Sequence, residues 1–309
     1  MRKARTRIKK PLAMALVLLM MLGVAACGGG TGQTPQPANN ASGQSAPAPA
    51  PAPQPPAQPQ PQAQPPAPAA PEAPADVELI VFAAASLTNT LEEIAGLYKA
   101  VAPHVTLVYN FDSSGTLKTQ IEEGADCDVF LSAAQRQMNE LAELDFLQQG
   151  SRTDILENKV ALVVAPGNPK GITSFDNLVA ALLGGDILLA MGNSDVPVGQ
   201  YTQRIFEFFN LDEDALARSG VLTYGSNVRE VTTQVTEASV DVGIVYATDA
   251  FSTRLEIVDT ATAAMCGQVI YPASVLNIST NVEEAQAFLD YLFTNEAMAV
   301  FESVGFSPA

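Results

Sequence analysis

The 309 residues carry 16 Lys and Arg against 33 Asp and Glu, a formal net charge of −17, with one histidine and three cysteines. So acidic a chain is a poor partner for nucleic acid, and the scarcity of histidine and cysteine excludes a zinc cluster and any Ser-His-Asp triad that does not use His104. His104 stands in the polar turn Ala102-Pro103-His104, between a helix and a strand, where it reads as a surface residue.

The chain opens as an export signal. Six bases (Arg2, Lys3, Arg5, Arg7, Lys9, Lys10) precede an uncharged apolar run over 11–26, shorter than the roughly 20 residues a spanning helix needs. The run ends in Val24-Ala25-Ala26-Cys27. Small residues directly before a cysteine resemble a lipobox, which implies cleavage after Ala26 and a diacylglyceryl group on Cys27. Residues 1–26 are thus read as a signal peptide, and without its bases the count becomes 10 basic against 33 acidic, a net charge of −23. Residues 27–76 are read as the lipidated cysteine and a disordered Pro/Ala/Gln-rich tether, typified by Ala46-Pro47-Ala48-Pro49. Such a run buries little and lacks backbone donors, so it favours solvated polyproline II. At about 3.1 Å per residue, some thirty residues reach roughly 90 Å from a membrane.

From Val77 onward, strands alternate with helices. The run 78–82 is β-rich, and Leu87, Leu91, Ile94 and Tyr98 follow at helical spacing. A strand over 105–109 precedes a helix marked by Leu117 and Ile121, and a strand over 128–131 precedes one around Met138 and Leu141. A second set starts with the strand 160–164, continues through a helix around Leu178 and a strand over 187–190, and ends with the strand 243–246. The strand 269–272 then leads into two helices, over 287–292 and 297–301. This order predicts an α/β chain of two lobes, each a mainly parallel sheet flanked by helices, with ligands beyond the carboxyl ends of the strands. Residues 77–157 form the first lobe and 158–267 the second, while 268–309 return to the first. Two crossings make a hinged clamp.

The loops after the strands carry the chemistry. Ala85-Ser86-Leu87-Thr88 and Asp112-Ser113-Ser114-Gly115 each place hydroxyls and free backbone N–H groups where a strand ends and a helix starts. From Glu78 to Phe306 the chain resembles the periplasmic molybdate-binding proteins of ABC transporters. The resemblance is carried by Val81-Phe82-Ala83-Ala84-Ala85-Ser86-Leu87-Thr88, Ser113-Ser114-Gly115-Thr116-Leu117, Asp128-Val129-Phe130-Leu131-Ser132-Ala133, Val196-Pro197-Val198-Gly199-Gln200-Tyr201, Asn227-Val228-Arg229, Gly243-Ile244-Val245-Tyr246-Ala247-Thr248-Asp249-Ala250 and Tyr271-Pro272. It implies a type II periplasmic-binding-protein clamp that captures molybdate or tungstate and delivers it to a permease and its ATPase. By motif, the oxyanion ligands are the hydroxyls of Ser86 and Ser114, the backbone N–H groups of Val198 and Val228, and the Tyr246 hydroxyl. No catalytic residue, cofactor or direct metal ligand is implied, the molybdenum being held as its oxyanion.

Three positions depart from the family pattern: Val198 stands for the usual alanine, Asp112 precedes the serine pair, and Asp195 lies close to the Val196-Pro197 loop. A carboxylate at 112 competes for N–H donors unless it turns away. Arg229, beside Val228 at a helix start, is not counted as a ligand, since it can equally face solvent or Glu230. With Cys27 committed to lipid, Cys127 and Cys266 are an even pair in an oxidising compartment, which predicts a disulfide in the first lobe near the hinge. The whole reads as a lipid-anchored extracytoplasmic monomer that is not an enzyme. The alternatives are a binder of sulfate or phosphate, an enzyme on the same scaffold, and a structural lipoprotein.

Overall fold

The computed structural model describes residues 74–309; the signal segment, Cys27 and all but the last three residues of the tether lie outside the described residues. In chain order the first lobe begins with β1 (Val77–Ala84), a 3-10 turn (Ala85–Leu87) and α1 (Thr88–Val101), then β2 (Val105–Asp112), α2 (Ser114–Glu122), β3 (Val129–Leu131), α3 (Gln135–Glu143) and β4 (Thr153–Asn158). The second lobe comprises β5 (Val160–Val164), α4 (Phe175–Gly184), β6 (Leu189–Gly192), α5 (Pro197–Phe208), α6 (Glu213–Ser219), β7 (Leu222–Gly225), α7 (Val228–Thr236), β8 (Val242–Tyr246), α8 (Ala247–Thr253), β9 (Glu256–Thr260) and α9 (Ala263–Cys266). The chain then returns through β10 (Val269–Val275), α10 (Val282–Tyr291), α11 (Asn295–Ser303) and β11 (Ser307–Pro308).

Two sheets result, with strand orders β11-β4-β10-β3-β1-β2 and β7-β6-β8-β5-β9. Both are mixed rather than mainly parallel. Only β1 with β2 and β3, and β6 with β7 and β8, pair in parallel; β10 and β5 run antiparallel to both their neighbours. The cause lies in the crossings. A strand that feeds a helix at the cleft runs toward the cleft, whereas β5 and β10 start at a crossing and run away from it. Only Lys159 separates β4 from β5, and the returning β10 sets Val269 opposite Asn158.

The lobes are held by apolar faces that the helical and strand periods define. Leu79, Val81 and Ala83 of β1 are fully buried, as are Leu91 and Ile94 of α1. Side-chain caps fix several helix starts: Ser113 Oγ accepts from Thr116 N at 3.1 Å and Asn227 Oδ1 from Glu230 N at 3.1 Å. Among the described residues no helix is long and apolar enough to cross a membrane.

The predicted disulfide is absent. Cys127 and Cys266 are free buried thiols belonging to different lobes. Cys127 packs with Phe82, Leu117 and Phe130 against the outer face of the first sheet, its Sγ donating to Val129 O. Cys266 closes the short α9, which lies on α5 in the second lobe, with its carbonyl held by Arg204. The strand after Cys266 belongs to the first lobe, but the cysteine itself does not. Burial pushes both thiols upward in pKa, which disfavours the thiolate form.

Candidate functional site

The five residues singled out from the sequence line one small cavity between the lobes, about 200 Å³ of free space including its mouth. Ser86 lies in the 3-10 turn after β1, Ser114 opens α2 after β2, Val198 is the second residue of α5, Val228 opens α7, and Tyr246 ends β8. An N–H in the first turn of a helix has no carbonyl one turn back to meet, so Val198 and Val228 present free donors and the positive ends of their helices to the cavity. Local sequence makes this approach possible. A Cβ on Gly199 would stand 2.2 Å from Asn193 O and 2.3 Å from Gly192 O, so only glycine lets the first turn of α5 pack on the end of β6. Gly115 does the same between lobes, its virtual Cβ falling 2.1 Å from the Asp195 carbonyl oxygen.

The hydroxyls are wired from behind. Ser114 is fully buried and its Oγ accepts from Ala133 N at 2.9 Å, leaving its proton to donate. Ser86 Oγ lies 3.0 Å from the hydroxyl of buried Tyr271, which accepts from Asn158 Nδ2 at 3.3 Å. Tyr246 donates a long bond of 3.4 Å to Ala133 O and can turn to a better acceptor in the cavity. Burial, followed by neighbouring tyrosine and Asp249 oxygens, raises the pKa of Tyr246 well above its ordinary value, so it stays a donor.

Charge is sparse at the cavity wall, where Asp112 is the one ionisable group besides Tyr246. Its carboxylate does not turn away: Oδ1 accepts from Ser113 N at 2.7 Å and from Asn227 Nδ2 of the other lobe at 3.3 Å. It thereby withdraws one N–H from the cavity while latching the lobes. Asp195 lies outside, on a neighbouring groove with Gly115 and Lys118. Arg229 faces a separate polar pocket shared with Ser86, Asn89 and Asp249, and donates to Asn89 Oδ1 at 3.2 Å across the lobes. Asp249 there is 8% exposed with Oδ2 unpartnered; burial lifts its carboxyl to about 7, opposed by the Arg229 charge. Among the described residues no cluster of His, Cys, Asp and Glu could hold a metal ion.

Sequence reasoning missed Ser113, Ala133, Asn158 and Tyr271. The Tyr271-Pro272 pair was visible as a motif without a role, and Asn158 sits on a strand that the pattern did not show. The arrangement offers hydroxyl and N–H donors, groups able to hydrogen-bond an anion.

Known proteins share this architecture. Residues 79–307 match the family described as bacterial extracellular solute-binding protein. The molybdate-binding protein ModA of Haemophilus influenzae is 33% identical over 237 residues, covering 75% of this chain and 91% of its own. YvgL of Bacillus subtilis, named provisionally as an ABC transporter substrate-binding lipoprotein, is 34% identical over 233 residues, covering 75% of this chain and 86% of its own. The solved periplasmic molybdate-binding protein of Azotobacter vinelandii superposes with a TM-score of 0.65 at 22% identity, over 74% of this chain and 98% of that one, and so shares the fold. A two-lobed α/β clamp whose strand-end loops close on one donor-lined cavity, matched over 229 of its residues, places the chain in the bacterial extracellular solute-binding protein family.

Proposed function

We propose that this protein is the lipid-anchored, extracytoplasmic binding component of an ABC importer, capturing molybdate or tungstate between its lobes and handing it to a membrane permease. The observation that carries this reading is the convergence of Ser86, Ser114, Val198, Val228 and Tyr246 on one cavity. Hydrogen bonds to an ionised acceptor are roughly twice as strong as neutral ones, so uncharged donors can hold a dianion without a counter-charge. The named relatives support the choice of anion. The Ala26-Cys27 junction supports the anchor, and Cys27→Ser should release the protein from the membrane fraction.

Thermal denaturation against a panel of oxyanions tests the ligand. A ligand at 1,000 times its Kd adds about 4 kcal/mol of stability, so molybdate and tungstate should raise the midpoint clearly and sulfate little. No shift with any oxyanion would remove the reading. A second reading, a binder of phosphate, draws on Asp112, whose carboxylate at the cavity wall can accept the proton of hydrogen phosphate; a larger shift with phosphate than with molybdate would select it.

A further inference from the structure

One carboxylate sits beside the anion cavity without lining it. Asp249 lies in the first turn of α8, three residues after Tyr246, and is 8% exposed. Its Oδ2 is sealed from solvent and has no hydrogen-bond partner, an arrangement in which burial works against the charged form. It lines the polar pocket that Ser86 and Asn89 of the first lobe share with Arg229 of the second. Ser86 belongs to the walls of both this pocket and the anion cavity.

Few charges face Asp249. Among the elements packed on α8, β5 carries no ionisable side chain and β8 only Tyr246. On β9, Glu256 is exposed and Asp259 accepts from Phe175 N through Oδ2 at 3.0 Å. On α7, Glu230 Oε2 accepts from Ser226 N at 2.7 Å, which leaves Arg229 as the charge acting on Asp249. Arg254 caps the far end of α8. The first lobe brings only uncharged groups, Ser86, Asn89 and the Tyr271 hydroxyl. Arg229 itself is in no ion pair, those of the described residues joining Lys118 and Arg136 to Glu122 and Glu140; its Nη1 donates to Asn89 Oδ1.

We propose that Asp249 couples anion capture to proton uptake: its carboxylate gains a proton as a dianion enters the neighbouring cavity, so the protein holds its anion more tightly as the medium grows more acidic. The inference rests on the oxyanion reading above and deepens it. Two negative charges in one buried region repel each other with little screening. A proton on Asp249 removes one of them and leaves the positive charge of Arg229, next to Val228 at the start of α7, unopposed. Linkage is reciprocal, so the factor by which the proton favours the anion is the factor by which the anion favours the proton. Burial already lifts the folded carboxyl to about 7, which puts the coupling in the neutral range.

Calorimetry with molybdate, which stays fully deprotonated across that range, counts the protons when run in two buffers of different ionisation enthalpy at one pH. Uptake of a few tenths of a proton is expected near neutrality, with affinity falling about 5-fold or more between about pH 6 and about pH 8.5, the lower end for coupled sites. Asp249→Asn should abolish both. If that variant does not fold, Arg229→Gln carries the test: it keeps the carboxylate, removes the charge that favours its ionisation, and should move the affinity change to higher pH. An affinity independent of pH in the parent, or an unmoved profile in Arg229→Gln, overturns the proposal. So does uptake that persists in Asp249→Asn and vanishes in Asp112→Asn, which would place the proton at the cavity wall. A parent protein that binds no molybdate at any pH would overturn the functional reading, and this inference with it.

Discussion

The two lobes supply the cavity with different parts of their residues. The first offers side-chain hydroxyls, Ser86 and Ser114, each braced from behind by a hydrogen bond, to the Tyr271 hydroxyl and from Ala133 N respectively. The second offers mainly backbone, the N–H groups at Val198 and Val228, adding one side chain in Tyr246. The first half is therefore exposed to substitution atom by atom. The second is sensitive to whatever moves a helix start, and nearly blind to which side chain sits there.

The largest effect should come from moving such a start. Gly199→Ala places a methyl group within 2.3 Å of two carbonyl oxygens and should cost on the order of 3 kcal/mol of folding stability, at the upper end for overpacking. An unchanged denaturation midpoint would mean that the first turn of α5 is free to shift and that the backbone half is not rigid. Next in size, Ser114→Ala should lose about 1.5 to 3 kcal/mol of anion binding, the range for a hydrogen bond to a charged group. Calorimetry showing no loss would remove the first lobe's serine from the site.

A third effect concerns the buried charge of the second lobe. The Asp249 carboxyl is raised from 3.8 to about 7 in the folded protein, first by burial. As pH rises past 3.8 the unfolded chain ionises before the folded one, so stability falls between about pH 4 and pH 7 and levels off above. Asp249→Asn should remove that slope, gaining about 1 to 2 kcal/mol relative to the parent at pH 8 and nothing at pH 4. Parallel urea midpoints for the two proteins across this range would contradict it. The smallest effect sharpens the contrast between the lobes. Val198→Ala should change anion affinity by less than about 0.5 kcal/mol, since its proposed part in binding is its backbone N–H; a tenfold change would show that the side chain shapes the cavity after all.

The strands that the sequence displays are those with unbroken apolar runs, such as Val160-Ala161-Leu162-Val163-Val164, buried on both faces. β4 and β9 escaped because their patterns neither alternate nor run. In β4 the buried Ile155 and Leu156 are neighbours between polar residues, and β9 is an edge strand with Glu256 and Ile257 exposed. Missing β4 hid Asn158, and pairing Cys266 with Cys127 in the first lobe overlooked that residues 158–267 already read as the second lobe, where Cys266 closes α9. At the cavity, motif and loop position sufficed to gather five residues. They could not reveal Tyr271, whose contact with Ser86 spans 185 positions, nor that Asp112 spends its carboxylate on Asn227 115 positions away. Local spacing carries no information about either pairing.

The crossing between the sheets has one more consequence. The chain leaves the first sheet at Asn158 and rejoins it at Val269, and these two residues are ladder partners. Everything between them is an excursion that begins and ends at one place, so replacing it by a tight turn would leave β4 and β10 as an ordinary antiparallel hairpin. Segments with adjacent ends can be exchanged with little disturbance to their host. The backbone half of the site is thus a cassette: a second lobe taken from a relative would bring new helix starts to the cavity and leave both serines and the Tyr271 hydroxyl with the host, whose ligand preference could then be recombined by halves.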